Sequence, residues 1–195
     1  AAAIAKTLPN IDLTLVESSD IPTIGVGEST IGHINAFLSL LDIKDEQWMP
    51  YCNATYKTSI KFIDFRENPT EKPHTFHYPF GIFDMTDKPR GLMEWFLAAV
   101  ENKSIDPSNF AEFFHDSILM TDRNKMTRNE DFHIRGFNFK ADTAYHMDAG
   151  AFGAYLRDNL CLPNGMRHIL DTVIDATQNE DGTIKEIITE NSGPL

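Results

Sequence analysis

The apolar residues of the chain change period along its length, and each change marks an element. Positions 31, 34, 37, 38 and 41 follow helical spacing, which predicts a helix from Ile31 to Leu41 with Ser29 or Thr30 as its N-cap. Upstream, Ala1 to Leu8 reads as the second half of a helix, since no N-cap or acidic first turn precedes it. After Pro9-Asn10, the run Ile11-Asp12-Leu13-Thr14-Leu15-Val16 is β-rich and partly alternating, and it ends in Glu17-Ser18 as a sheet strand does. Thr58 to Phe65 carries apolar groups on both faces, the pattern of a strand covered on each side. A short helix begins at Asp45-Glu46-Gln47-Trp48-Met49. Leu92 to Asn102 and Asn109 to Leu119 are further helices, the second introduced by Asp106-Pro107-Ser108-Asn109. Ala149 to Leu160 is amphipathic, with Asp148 as N-cap. Thr172 to Ala176 and Ile184 to Thr189 read as a β-hairpin around Asp181-Gly182, a pair suited to a type I′ turn. Residues 66 to 91, rich in Pro, His, Asp and Gly, are expected to form a loop too long for a simple connector, and function is expected there.

This order of elements is α/β. Ala-rich helix, turn, strand and terminal acid make up the back half of a dinucleotide-binding βαβ unit, whose Gly-rich front half would precede residue 1. At the other end Pro194-Leu195 follows the hairpin without a further core element, so the chain is expected to be truncated at both ends.

Composition narrows the partners. Among 195 residues, 29 are Asp or Glu and 17 are Lys or Arg, a net charge of -12 that argues against nucleic-acid binding. With 42% hydrophobic and 24% charged residues the chain can bury a core and is not compositionally disordered. No run approaches the roughly 18 apolar residues of a membrane span, and the first residues carry no basic and apolar leader pattern, so no membrane partner is expected. Cys52 and Cys161 are too few for a disulfide framework, which makes a reducing, cytoplasmic location the expectation. His74, His115, His133 and His168 have no acidic or histidine partner at metal spacing, and no metal site is expected.

Several residues invite chemistry. Glu17, at a strand end, can accept hydrogen bonds from ribose hydroxyls, or it is an exposed acid capping a strand. Ile24-Gly25-Val26-Gly27-Glu28-Ser29-Thr30 offers free N–H groups and a helix start that suit an anion or a flavin edge, though a Gly-rich turn is more often only a turn. Lys57, among small and aromatic residues, is a strong donor or a nucleophilic amine if desolvated, and otherwise a solvated lysine. Phe76-His77-Tyr78-Pro79-Phe80-Gly81 can sandwich a planar ligand or plug a loop. His146, just before Asp148, reads as a packed or capping histidine.

Taken together, Leu15-Val16-Glu17-Ser18, Ile21 to Thr30, Trp48-Met49-Pro50 and Tyr56-Lys57-Thr58-Ser59-Ile60-Lys61-Phe62 resemble the N-terminal part of flavin-dependent halogenases of the tryptophan halogenase family. Tyr145-His146-Met147-Asp148-Ala149 is similar to a family segment as well. The resemblance implies part of a Rossmann-like FAD-binding fold of the flavin monooxygenase type. Residues 1–65 and 141–195 would belong to the FAD-binding domain, and 66–140 would form a mainly helical excursion on the substrate side. It implies that Glu17 holds the FAD ribose, that Ile24, Gly25, Val26, Gly27, Glu28, Ser29 and Thr30 form the strap between flavin and substrate chamber, and that Val173 contacts adenine through its backbone. Lys57 matches the catalytic lysine that receives hypohalous acid, and His77 and Phe80 match residues lining the aromatic substrate's pocket, with one residue more between them. The implied cofactors are FAD, as FADH2, and a halide ion. The implied partners are a tryptophan- or indole-like substrate and a separate flavin reductase, since no nicotinamide site is visible; a homodimer is compatible with the sequence. The family's Gly-rich phosphate loop and the glutamate that works with the lysine lie outside residues 1 to 195, so the isolated segment is expected to be inactive. A flavin-dependent aromatic hydroxylase and a non-catalytic module of the same fold are the rival readings.

Overall fold

The computed structural model describes residues 1–21, 30–65, 75–81, 89–126 and 137–195. In chain order the elements are α1 (Ala2–Thr7), β1 (Thr14–Glu17), α2 (Ile34–Leu41), α3 (Asp45–Trp48), β2 (Thr55–Lys57), β3 (Ser59–Ile63), β4 (Thr75–Pro79), α4 (Pro89–Phe96), α5 (Phe110–Phe114), α6 (Asp116–Thr121), α7 (Phe139–Asp142), β5 (Ala144–His146), α8 (Ala149–Leu156), β6 (Arg167–Leu170), β7 (Val173–Gln178), β8 (Ile184–Thr189) and β9 (Gly193–Pro194). The chain forms two compact units, one from Ala1–Glu28, Ala36–Ala54 and Met147–Leu195, the other from Ser29–Asn35 and Thr55–His146.

In the first unit β1 runs parallel to β6, with Thr14 opposite Arg167 and Glu17 opposite Leu170. Parallel pairing needs a crossover connection, so this is the α/β arrangement expected from the sequence. Ala2, Leu41, Cys161 and Met166 form the buried centre, with Leu13, Leu15, Phe37, Ile43, Leu156 and Leu160 packed around it. Burying a side chain such as Leu41 contributes about 1.5–3 kcal/mol. Trp48 is fully buried, with its ring centroid 5.1 Å from that of Phe152. Asp148 caps α8 as expected, accepting from the Ala151 N–H at 2.9 Å. The helix then continues through a π-helical turn, Arg157–Cys161.

The C-terminal hairpin is present, with β7 antiparallel to β8 and β9 added at the edge. Its turn differs from the expected two-residue type. Gly182 N–H donates to the Asn179 carbonyl at 3.0 Å and Asn179 N–H to the Thr183 carbonyl at 2.8 Å, which leaves a three-residue loop. Gly182 alone supplies the left-handed position, at φ 84°.

In the second unit β2 pairs antiparallel with β5, and β3 with β4. The loop expected from residue 66 to 91 therefore contains a strand, Thr75–Pro79, whose residues alternate across the β3 ladder from Ser59↔Pro79 to Ile63↔Thr75. The helix expected from Asn109 to Leu119 is broken at His115, whose extended backbone ends α5 and starts α6. Nothing local forbids a continuous helix there. Burial overrides propensity: Phe114 meets the rings of Phe110 and Trp95, and Ile118 is wholly buried. Thr30 does not cap the following helix, which begins only at Ile34.

Candidate active site

Lys57 closes β2 opposite Ala144, while Thr55 stands opposite His146. Side chains two residues apart on a strand share a face, so the register sets Lys57 and His146 diagonally on the same face of the ladder. Lys57 is 7% exposed. Its ammonium donates to the Thr30 carbonyl at 3.1 Å and stands 5.3 Å from the centroid of the Phe80 ring. Burial lowers the pKa of this lysine from its ordinary value. His146 is pushed down as well, by loss of solvent and then by the charge on Lys57.

The segment that carries Thr30 is stitched to β5. The Thr30 hydroxyl donates to the Tyr145 carbonyl and accepts from the Tyr145 N–H, each at 2.8 Å. Tyr145 Oη donates to Asn35 Oδ1 at 3.2 Å, and Asn35 Nδ2 reaches the Thr143 carbonyl. Gly32 lies so close to the Ala141 carbonyl that a Cβ there would sit 2.7 Å from its oxygen. These contacts hold the Thr30 carbonyl where Lys57 meets it.

Lys57, Ser59 and Lys61 alternate along the chain and, with His77, Asp122 and His146, line a cavity of about 530 Å³. That volume suits a small planar ligand. The Phe80 N–H donates to the Thr58 carbonyl at 2.8 Å, which anchors the ring beside Lys57. Of the residues singled out from sequence, the second unit thus brings together Lys57, Thr30, His77 and Phe80. Ile24, Gly25, Val26, Gly27, Glu28 and Ser29 lie outside the described residues, as do His74 and His133.

Glu17 and Val173 belong to the first unit. Glu17 ends β1 at the C-terminal edge of the parallel pair, where open α/β sheets bind ligands. Its carboxylate lies 2.7 Å from His168 Nε2, an acidic partner that sequence spacing did not reveal for His168. The Glu17 carbonyl accepts from the Asp171 N–H at 3.0 Å, which carries the chain toward half-exposed Val173. Asp171 anchors this edge. Burial pushes its carboxyl up, but hydrogen bonds from Ser192, Asn191 and the backbone outweigh burial and hold it well below the usual carboxylate range.

Sequence reasoning missed Ser59, Lys61 and Asp122 and took His146 for a packing residue. The period-2 spacing of 57, 59 and 61 was a usable signal for the first two. Asp122 had none.

The tryptophan halogenase family model matches residues 1–194. The chain belongs to the tryptophan halogenase family. Tryptophan 7-halogenase RebH of Lentzea aerocolonigenes is 32% identical over 188 residues, covering 91% of this chain and 34% of that protein. The solved apo structure of VirX1 superposes with a TM-score of 0.85 at 40% identity, covering all of this chain and 37% of that one. Tar14, described as a tryptophan C-6 flavin-dependent halogenase (chlorinase) from taromycin biosynthesis, gives 0.80 at 32% identity, covering all of this chain and 38% of that one. The chain thus spans little more than a third of the relatives it matches. The tryptophan halogenase fold carries the Rossmann-like FAD-binding architecture expected from the sequence, and this chain forms part of it. No helix among the described residues is long and apolar enough to cross a membrane.

Proposed function

We propose that this chain is the N-terminal part of a flavin-dependent halogenase that acts on an electron-rich, tryptophan- or indole-like ring. The observation that carries the reading is a buried lysine, Lys57, in the wall of a cavity, in a chain of this family. The residues present fit FAD: Glu17 offers a half-exposed carboxylate at the C-terminal edge of a parallel strand pair. Glu17 would accept from the ribose hydroxyls, Val173 would meet the adenine through its backbone, and Ile24 to Thr30 would form the strap. When bound and reduced by a separate reductase, the flavin supplies hypohalous acid from dioxygen and halide.

Lys57 then acts on that acid. As an ammonium it donates a hydrogen bond to the acid's oxygen, so the halogen becomes electrophilic toward a ring held by His77 and Phe80. The carbon–halogen bond forms as the halogen–oxygen bond breaks, the ring loses its proton, and water leaves. As the neutral amine that burial favours, Lys57 can instead take the halogen from the acid, the nitrogen–halogen bond forming as the halogen–oxygen bond breaks and water leaves; the halogen then passes to the ring and the ring's proton returns to the amine. The lowered pKa of Lys57 supports both routes, because it brings the two protonation states closer together.

The test uses the intact protein with a flavin reductase, NADH, FAD, halide and a panel of electron-rich arenes, read by mass spectrometry. Halide-dependent product that falls at least about 100-fold in Lys57→Ala, while flavin oxidation continues, is expected. Oxygenated product would favour an aromatic hydroxylase. Flavin binding without turnover would favour a non-catalytic module of the same fold.

A further inference from the structure

Three side chains from three elements meet in the cavity wall beside Lys57. His77 on β4 is 7% exposed, its Nδ1 lies 3.0 Å from Ser59 Oγ on β3, and its Nε2 lies 3.3 Å from Asp122 Oδ1 at the end of α6. The same Asp122 oxygen stands 3.3 Å from Lys61 Nζ. Lys61 and His77 are register partners across the β3–β4 ladder, so one carboxylate spans a cross-strand pair. The α6 end is itself docked on this hairpin, because the Thr121 and Thr58 hydroxyls hydrogen-bond each other. Asp122 is thus delivered by a fixed element.

A carboxylate facing Nε2 repels a lone pair there and attracts a proton, which places the imidazole hydrogen on Nε2. Nδ1 then accepts from the Ser59 hydroxyl. Nε2 is buried, makes no aligned hydrogen bond among the described residues, and has the Asp122 carboxylate 3.3 Å away. A flip of this buried ring would break the Nδ1 hydrogen bond to Ser59 and carry Nε2 away from the Asp122 carboxylate. We propose that Asp122, with Ser59, is a positioning residue that holds His77 as its Nε2–H tautomer and so sets how a planar aromatic ring lies against Lys57. This rests on the halogenase reading for its catalytic consequence, though not for the tautomer.

The experiment has two readouts. In the intact protein with ¹⁵N-labelled histidine, the His77 ring at pH values where it is neutral should show a pyrrole-like Nε2 and a pyridine-like Nδ1, and Asp122→Ala should give a mixture of tautomers. In turnover, Asp122→Ala and Ser59→Ala should raise the KM for the aromatic substrate about five- to tenfold, the scale of losing one polar contact to the ring, with kcat less affected and the ratio of ring positions halogenated changed. Asp122→Asn, which keeps an acceptor, should recover the wild-type ratio. On a His77→Phe background Asp122→Ala should have no further effect, since Asp122 acts through His77. A pyridine-like Nε2 in wild type, or equal effects of Asp122→Ala with and without His77, would overturn the proposal. Were no halogenated product formed at all, the halogenase reading would fail while the tautomer measurement still decided the role of Asp122.

Discussion

Lys57 and His146 show how a pair of side chains two rungs apart can tune each other. Each is shifted toward its neutral form, Lys57 by burial and His146 by burial and then by the lysine's charge. For His146 the folded value lies below the ordinary imidazole value of about 6.5. The unfolded chain therefore takes up the proton first as the pH drops. The stability His146 contributes is fully present above about 6.5 and is lost as the pH falls through its folded value. Urea unfolding of the intact protein at pH 7.5 and pH 5.5 should show a smaller loss of stability in His146→Gln than in wild type. For Lys57 the sign is the same: its folded value is lowered by burial, so its contribution grows as the pH rises through that lowered value toward about 10.4.

Elements carry the next level of constraint. The turn before α2 passes the Ala141 carbonyl too closely for any side chain, which makes Gly32 a requirement of packing. Gly32→Ala must push one backbone segment away, at about 1–3 kcal/mol, and should lower the thermal midpoint; because the same turn follows Thr30, it should also disturb the contact between the Thr30 carbonyl and Lys57. At the β6–β7 corner, Asp171 gathers N–H groups from Thr172, Asn191 and Ser192. Its folded pKa is depressed, so the stability it contributes is present above the ordinary carboxylate value of about 4 and is lost only as the pH falls through the depressed value. Asp171→Asn should be less stable than wild type at pH 7, and the difference should shrink under strongly acidic conditions in a circular-dichroism titration.

At the scale of the whole molecule, both cysteines serve as reporters. Cys52 and Cys161 are buried and free, and their thiols are raised, Cys52 by burial and then by the nearby Asp148, Cys161 by burial. Alkylation at pH 8 should be slow in the native protein and fast in denaturant, with a rate that follows opening of the first unit; rapid native labelling would contradict this packing. Much of the fold was legible because its causes are local. The Asp148 cap, the short helix at Asp45, the 173–189 hairpin and the strand ending at Glu17 each follow from period and end chemistry within about ten residues. Lys57 stood out because a lysine among small and aromatic residues is unusual, and the family resemblance gave it a role. The rest depends on residues far apart in sequence. His168 finds Glu17 across 151 positions, and Ser59 and His77 become neighbours only when Thr75–Pro79 pairs as a strand, which no alternation in its Pro- and His-rich surroundings announces. Periodicity reports which face of an element is buried. Which carboxylate, carbonyl or ring then meets a given side chain is settled by packing, where long-range contacts outweigh the local preferences that a sequence displays.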